Sequence, residues 1–213
     1  MAAFPADFHK PDFSDWRHLI EKMLETVYIA VWEPFLSTVF GIPFALLSSS
    51  NVAPWWIVQP IRRLMDATRA IKEIVFAILC VAAVGLGPFT GVMAAFIHNL
   101  GIISKLFSEA VEAIAPRPVE GIRSTGATRL QEIACGIIPQ VLPLWSSLTL
   151  YRFETNLRSA TVLGIVGAGG IGHVLWDSFR SFDFAKTSAI IVVVVISVSI
   201  IDIASQRLRQ RLI

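Results

Sequence analysis

From Ile74 to Ser104 the chain carries no Asp, Glu, Lys or Arg, and a run of that length has no place on a water-facing surface. About 20 apolar residues carry a helix across the hydrocarbon of a bilayer, so this run is too long for one upright crossing and short for two. Its break is Gly85-Leu86-Gly87-Pro88, a turn-forming sequence. Two helices sharing a tight turn, each extended into its polar flank, fit better than one long tilted helix. The composition agrees: 54% of residues are hydrophobic and 16% charged, against about 25% charged in soluble domains. Such a chain cannot cover its own surface in water, and lipid is its natural solvent.

The remaining segments extend this reading. Residues 26–48 form a span whose only charge is Glu33; Pro34, Gly41 and Pro43 are tolerable there if neighbouring helices cover the kinks. A span begins at Ile137 and continues through the charged stretch Arg152–Arg158, and another covers 184–204 with the run Ile190 to Ile196. The expected fold is therefore all-α: a polytopic membrane helix bundle with five transmembrane helices, at about 26–48, 70–86, 89–108, 138–162 and 184–204. Ahead of them, Trp16, Leu19, Ile20, Met23, Leu24 and Val27 recur at helical spacing after Ser14, a plausible N-cap. Residues 14–25 read either as an amphipathic helix on the membrane surface or as a solvated helix packed on the protein. Asp7, Asp12, Asp15, Glu21 and Glu25 leave no apolar core for a cleavable signal peptide. Residues 49–73 and 105–136 are polar, and 164–172 is glycine-rich.

Several function classes are disfavoured. A net charge of +2 is too small to argue for nucleic acid. Cys80 and Cys135 have no partner at disulfide or metal spacing, and His98, in the third span beside Asn99, reads as a packing residue rather than a metal ligand. No metal and no cofactor is expected. Gly167-Ala168-Gly169-Gly170-Ile171-Gly172 matches G-x-G-x-x-G, but a dinucleotide site needs a strand before it and an acid ending a second strand, and here a membrane span follows. HExxH, Gly-x-Ser-x-Gly and paired in-membrane Asp are missing, which argues against an intramembrane enzyme, and no catalytic residue is assigned.

Lys and Arg gather on the cytoplasmic side of membrane proteins. With the N-terminus outside, the inner segments hold Arg62, Arg63, Arg69 and Lys72, then Lys105, Arg117, Arg123 and Arg129, then Arg207, Arg209 and Arg211 of a basic tail at 207–213. The outer segments hold Lys10, Arg17, Lys22, Arg152, Arg158, Arg180 and Lys186. This bias favours an outside N-terminus and a cytoplasmic C-terminus, more so if Arg152 and Arg158 lie inside the bundle.

Residues 116–139 carry the most informative motif. Pro116 and Pro118 suit a helix start, Glu120 lies in its first turn, Gly126 permits a sharp bend, and 128–137 can form a second short helix stopped by Pro139 and Pro143. This hairpin resembles the EAA loop of ABC importer permeases: Glu120-Gly121-Ile122, then Gly126 beside Thr125, then Ile138-Pro139 at matching offsets, with Gly121, Ile122 and Gly136 departing from the pattern. The stretch from Tyr151 to Gly172, with Gly85-Leu86-Gly87-Pro88-Phe89 and Lys105-Leu106-Phe107-Ser108-Glu109, is similar to phosphonate-type permeases over most of residues 26–213. Lys72 stands where relatives usually have Pro, and many relatives carry an additional N-terminal span.

The resemblance implies a MetI-like architecture, with a type-1 permease domain over 26–206 behind the N-terminal segment 1–25. It implies a permease subunit of the bacterial cytoplasmic (inner) membrane that moves phosphonate, phosphite or phosphate. The implied partners are a second copy of the chain, two ABC ATPase subunits and a periplasmic or lipoprotein substrate-binding protein. Glu120, Gly121, Thr125, Gly126, Ile138 and Pro139 would couple to the ATPase. Glu154, Asn156 and Arg158 would line the substrate path, and Gly167, Gly169, Gly170 and Gly172 would form a gate where backbone passes close to backbone. For Arg158, pairing with Glu154 at i, i+4 and contact with a passing oxyanion both stand open. So do a permease for a different small solute and a non-transporting membrane subunit.

Overall fold

The computed structural model describes residues 11–210, and every regular element among them is a helix. Residues 1–10 of the N-terminal segment and 211–213 of the basic tail lie outside the described residues. In chain order the helices are α1 (Trp16–Ser48), α2 (Trp55–Ala70), α3 (Glu73–Val84), α4 (Pro88–Glu112), α5 (Pro116–Ser124), α6 (Arg129–Gln131), α7 (Ile138–Leu163), α8 (Ile171–Arg180) and α9 (Phe184–Gln210). A π-helical stretch, Glu132–Ile137, joins α6 to α7 without a break.

Of the two readings of 14–25, the helix packed on the protein agrees with the structure and the membrane-surface helix does not, and the segment is the first part of α1 rather than a helix of its own. The 33 residues of α1 run unbroken, about 50 Å at the α-helical rise. The early turns need no surface of their own because Leu19 and Met23 are buried with Leu157, Ile171 and Ile190. Pro34 and Pro43 sit inside it, each removing one backbone donor.

Among the described residues, four helices are long and apolar enough to cross a membrane by themselves: Trp16–Ser48, Pro88–Glu112, the continuous Arg129–Val166 and Phe184–Arg207. The fifth expected span, 70–86, is represented by a shorter apolar helix, Glu73–Val84. Its end is the turn the glycines announce: Gly85 (φ +99°) and Gly87 (φ +145°) reverse the chain, Pro88 opens α4, and Thr90 Oγ1 donates to the Gly85 carbonyl at 2.6 Å. The segment read as polar, 49–73, contains α2, which buries Val58 and Met65, two turns apart, and leaves Trp55 and Trp56 exposed.

Helix α4 is the hub, packed against α1, α2, α3 and α7. Close approach needs small residues, as in membrane bundles generally. A Cβ on Gly41 would lie 3.1 Å from Ile103 Cγ2, and one on Gly101 would lie 2.8 Å from the Met65 carbonyl. Towards the hairpin end, Phe107 stacks on Trp145 at 4.7 Å between ring centroids and Trp145 Nε1 donates to the Phe107 carbonyl at 3.3 Å. Around them lie Ala45, Ile103, Val111, Ile137 and Val141. Towards the opposite end, Ala77, Ala94, Ala95, Leu163 and Ala168 make a core of small side chains.

Candidate functional site

Three places carry the residues singled out from the sequence: the hairpin at one end of the bundle, the glycine segment at the other, and a polar layer between them.

In the hairpin, Pro116 opens α5, and the chain turns at Gly126, whose φ of +83° places it in the left-handed region that favours glycine. Thr128 and Gln131 then form a capping box that starts α6. Glu120, Gly121, Thr125, Gly126 and Pro139 are exposed and Ile138 is half-buried. At Gly121 a Cβ would stand in open space, so no packing demand requires glycine where the motif has alanine. Gly136 is different, because a Cβ there would meet Val119 Cα at 3.4 Å and Ile122 Cδ1 at 3.2 Å. The hairpin arms approach through it.

The sequence reading missed the brace between the arms. Arg123 donates to both oxygens of Glu132, at 2.9 and 3.0 Å, and Arg129 Nη1 donates to the same carboxylate at 2.7 Å. Arg129 Nη2 reaches on to the Val52 carbonyl at 3.0 Å, tying the hairpin to the α1–α2 connection. The hydrogen bonds and charge of Glu132 raise the Arg123 pKa above the ordinary arginine value. Arg129 and Glu132 stand at helical i, i+3 spacing on one arm, but only the turn at Gly126 brings Arg123 to them, and no helical period marks that pair. Beside the brace, Asn51, Ile114, Val119, Glu120, Arg123 and Arg129 border a cleft of about 210 Å³. Leu130, at the tip, is 78% exposed.

At the opposite end, Gly167, Gly169 and Gly170 all take positive φ, and a short 3₁₀ turn over Gly164–Val166 leads into them. The segment is recessed into the bundle: Gly87 N–H donates to the Gly167 carbonyl at 3.1 Å, Gly170 N–H to Glu25 at 2.9 Å, and Ile171 N–H to Thr26 Oγ1 at 2.8 Å. Thus α1 caps the start of α8, a helix the sequence reading did not foresee. Gly172 packs against Gly164, with a would-be Cβ 3.0 Å from its Cα. A Cβ on Gly91 would stand 2.5 Å from the Ala168 carbonyl oxygen.

The polar layer lies between. Glu33, fully buried, accepts hydrogen bonds from Ser37 at 3.2 Å and from Asn156, while Arg152 donates to Asn99. Thr38 and Thr149 pair at 3.1 Å next to them. Asn156 is thus in the bundle centre, whereas Arg158 is turned toward α9, 3.3 Å from Asp202 and 3.8 Å from Glu154. The i, i+4 pair read from the sequence exists, widened by Asp202. His98 is buried, and its Nδ1 has no partner, unlike the satisfied packing residue expected. Among the described residues, no cluster of three or more His, Cys, Asp or Glu is placed to hold a metal.

The family model described as "binding-protein-dependent transport system inner membrane component" matches residues 38–213. A putative cryptic phosphonate transport system permease protein of Escherichia coli is 59% identical over 121 residues, covering 57% of this chain and 99% of the relative. A phosphite transport system permease protein of Stutzerimonas stutzeri is 36% identical over 211 residues, covering 99% of this chain and 77% of the relative. Among solved structures, an inward-facing form of the MetNI methionine ABC transporter superposes with a TM-score of 0.80 at 19% identity, over 92% of this chain and 96% of that one. That last similarity establishes a MetI-like fold.

Proposed function

We propose that this chain, which belongs to the family of binding-protein-dependent transport system inner membrane components, is the permease subunit of an ABC importer for small phosphorus oxyanions, phosphonate first among them. The carrying observation is the exposed hairpin 116–139: a Gly126-turned pair of short helices, braced from within by Glu132 and presenting Glu120 and Leu130 outward. The substrate class follows the phosphonate and phosphite systems to which the relatives belong.

The chain has no catalytic site in this reading. ATP is hydrolysed by a homodimer of separate ATPase subunits that grips the hairpin on the cytoplasmic side, and a binding protein outside delivers the solute. The N-terminus lies outside and the C-terminus inside. Two copies of the chain rock against each other, opening the path alternately outward and inward. Glu154, Asn156 and Arg158 border that path, and the recessed segment Gly167–Gly172 acts as its outer gate, held by Glu25 and Thr26.

Co-purification with the ATPase subunit tests the reading. We expect stoichiometric association that is lost on Glu120→Lys, together with uptake of radiolabelled phosphonate by reconstituted vesicles. Association unaffected by Glu120→Lys, with no uptake, would instead leave a non-transporting membrane subunit.

A further inference from the structure

Helix α7 turns polar side chains outward where its neighbours turn hydrocarbon. Ser147, Tyr151, Thr155 and Arg158 fall within about 80° of the helix circumference at 3.6 residues per turn. Tyr151 is 48% exposed and the Arg158 side chain 53%, while Ser147 and Thr155 are half-buried. Leu144 and Val162, exposed at either end of the stripe, close it with apolar groups.

The far side of α7 fixes the depth of this face. There Thr149 pairs with Thr38 at 3.1 Å and Asn156 with Glu33, near the middle of α1. Over the same stretch the open face of α1 shows Trp32, Phe35 and Val39, and that of α9, close to Asp202, shows Ile196 and Ile200. Lipid would ask the same of all three helices. Charged and polar groups at membrane depth face protein or a water-filled path instead, so the open face of α7 is not turned to lipid.

Its chemistry suits an anion with several acceptor oxygens. Arg158 spends one hydrogen bond on Asp202, at 3.3 Å, with Glu154 further off at 3.8 Å. A guanidinium has five donors, so most remain for a ligand, and the two acids offset its charge so that attraction stays weak. Thr155 Oγ1 donates to the Tyr151 carbonyl at 3.0 Å, a bond it can exchange for one to an anion. Contacts spaced about 5 Å apart, one helical turn, let an ion leave one as it meets the next, as conduction requires.

We propose that the open face of α7 is a wall of the substrate path, with Ser147, Tyr151, Thr155 and Arg158 giving the oxyanion successive weak contacts. This rests on the importer reading above and adds the three hydroxyl residues to it.

The test uses the complete transporter in proteoliposomes, with ATPase subunit and binding protein, in a Cys80→Ser, Cys135→Ser background. Ser147→Cys, Tyr151→Cys and Thr155→Cys are compared with Phe35→Cys and Val39→Cys, two positions as open as Tyr151 on a single copy. A water-soluble, sulfonated thiol reagent is added during turnover with ATP, and uptake of radiolabelled phosphite is read before and after. The α7 cysteines should react about tenfold or more faster than the α1 pair, because the attacking thiolate forms in water and not in lipid. Their modification should stop uptake. Cysteines on α7 that react no faster than those on α1 overturn the proposal, assigning the face to a dry contact or to lipid. Full uptake after complete modification at all three α7 positions overturns it as well. If the transporter without added cysteines takes up neither phosphite nor methylphosphonate, the importer reading fails and takes the proposal with it.

Discussion

Arg123 and Glu132, nine residues apart, face each other across the turn at Gly126 with two parallel hydrogen bonds, 2.9 and 3.0 Å long. A two-pronged guanidinium–carboxylate pair fixes orientation as well as distance, and Arg129 completes it from the same arm as Glu132. The brace therefore ties the two arms into one unit, which the proposed coupling to an ATPase subunit requires. Glu132→Ala should free the arms. We expect trypsin to cut at Arg123 and Arg129 several-fold faster in detergent, and the ATPase subunit to be retained less well. Unchanged cleavage would show that the capping box at Thr128 suffices.

Cys135 provides a built-in probe of orientation. It is exposed in the π-helical stretch, while Cys80 is half-buried in α3. In a Cys80→Ser background, a membrane-impermeant thiol reagent should label Cys135 in inverted vesicles and not in intact cells. Labelling from the outside would place the hairpin on the wrong face for an ATPase.

The glycine end predicts a contrast between two alanine substitutions. At Gly91 a Cβ would stand 2.5 Å from the Ala168 carbonyl, whereas at Gly121 it would meet nothing within 4 Å. Gly91→Ala should cost about 1–3 kcal/mol, the usual penalty of overpacking, read as a lowered Tm in detergent. Gly121→Ala should leave the Tm unchanged.

Thr26 is fully buried, and its Oγ1 accepts the Ile171 N–H at 2.8 Å. Thr26→Val keeps the shape and removes the acceptor, leaving a buried backbone donor unsatisfied. The expected loss is about 1–3 kcal/mol, again seen in Tm. If the gate reading is right, ATP hydrolysis in the assembled transporter should also become less dependent on the binding protein.

The uncharged run Ile74–Ser104 and its Gly85–Pro88 break determined much of the bundle from sequence alone. Hydrophobic length reports a bilayer directly, and glycine and proline punctuate a chain whatever surrounds it. The hairpin, too, was legible, because its proline start, glycine bend and proline stop are local signals. The continuity of α1 was not, since residues 14–25 and 26–48 differ in polarity and only packing against α8 and α9 makes one helix of them. Helix α2 was hidden because its two buried residues, Val58 and Met65, show their purpose only against α4. Glu33 stood out in the sequence as a lone charge, but nothing local says that Asn156, 123 residues away, will meet it, or that Asn99 will hold Arg152. Side chains on different helices come together by tertiary packing, which leaves no period or spacing to read, and so the brace at Glu132 and the polar layer at Glu33 were decided by the fold.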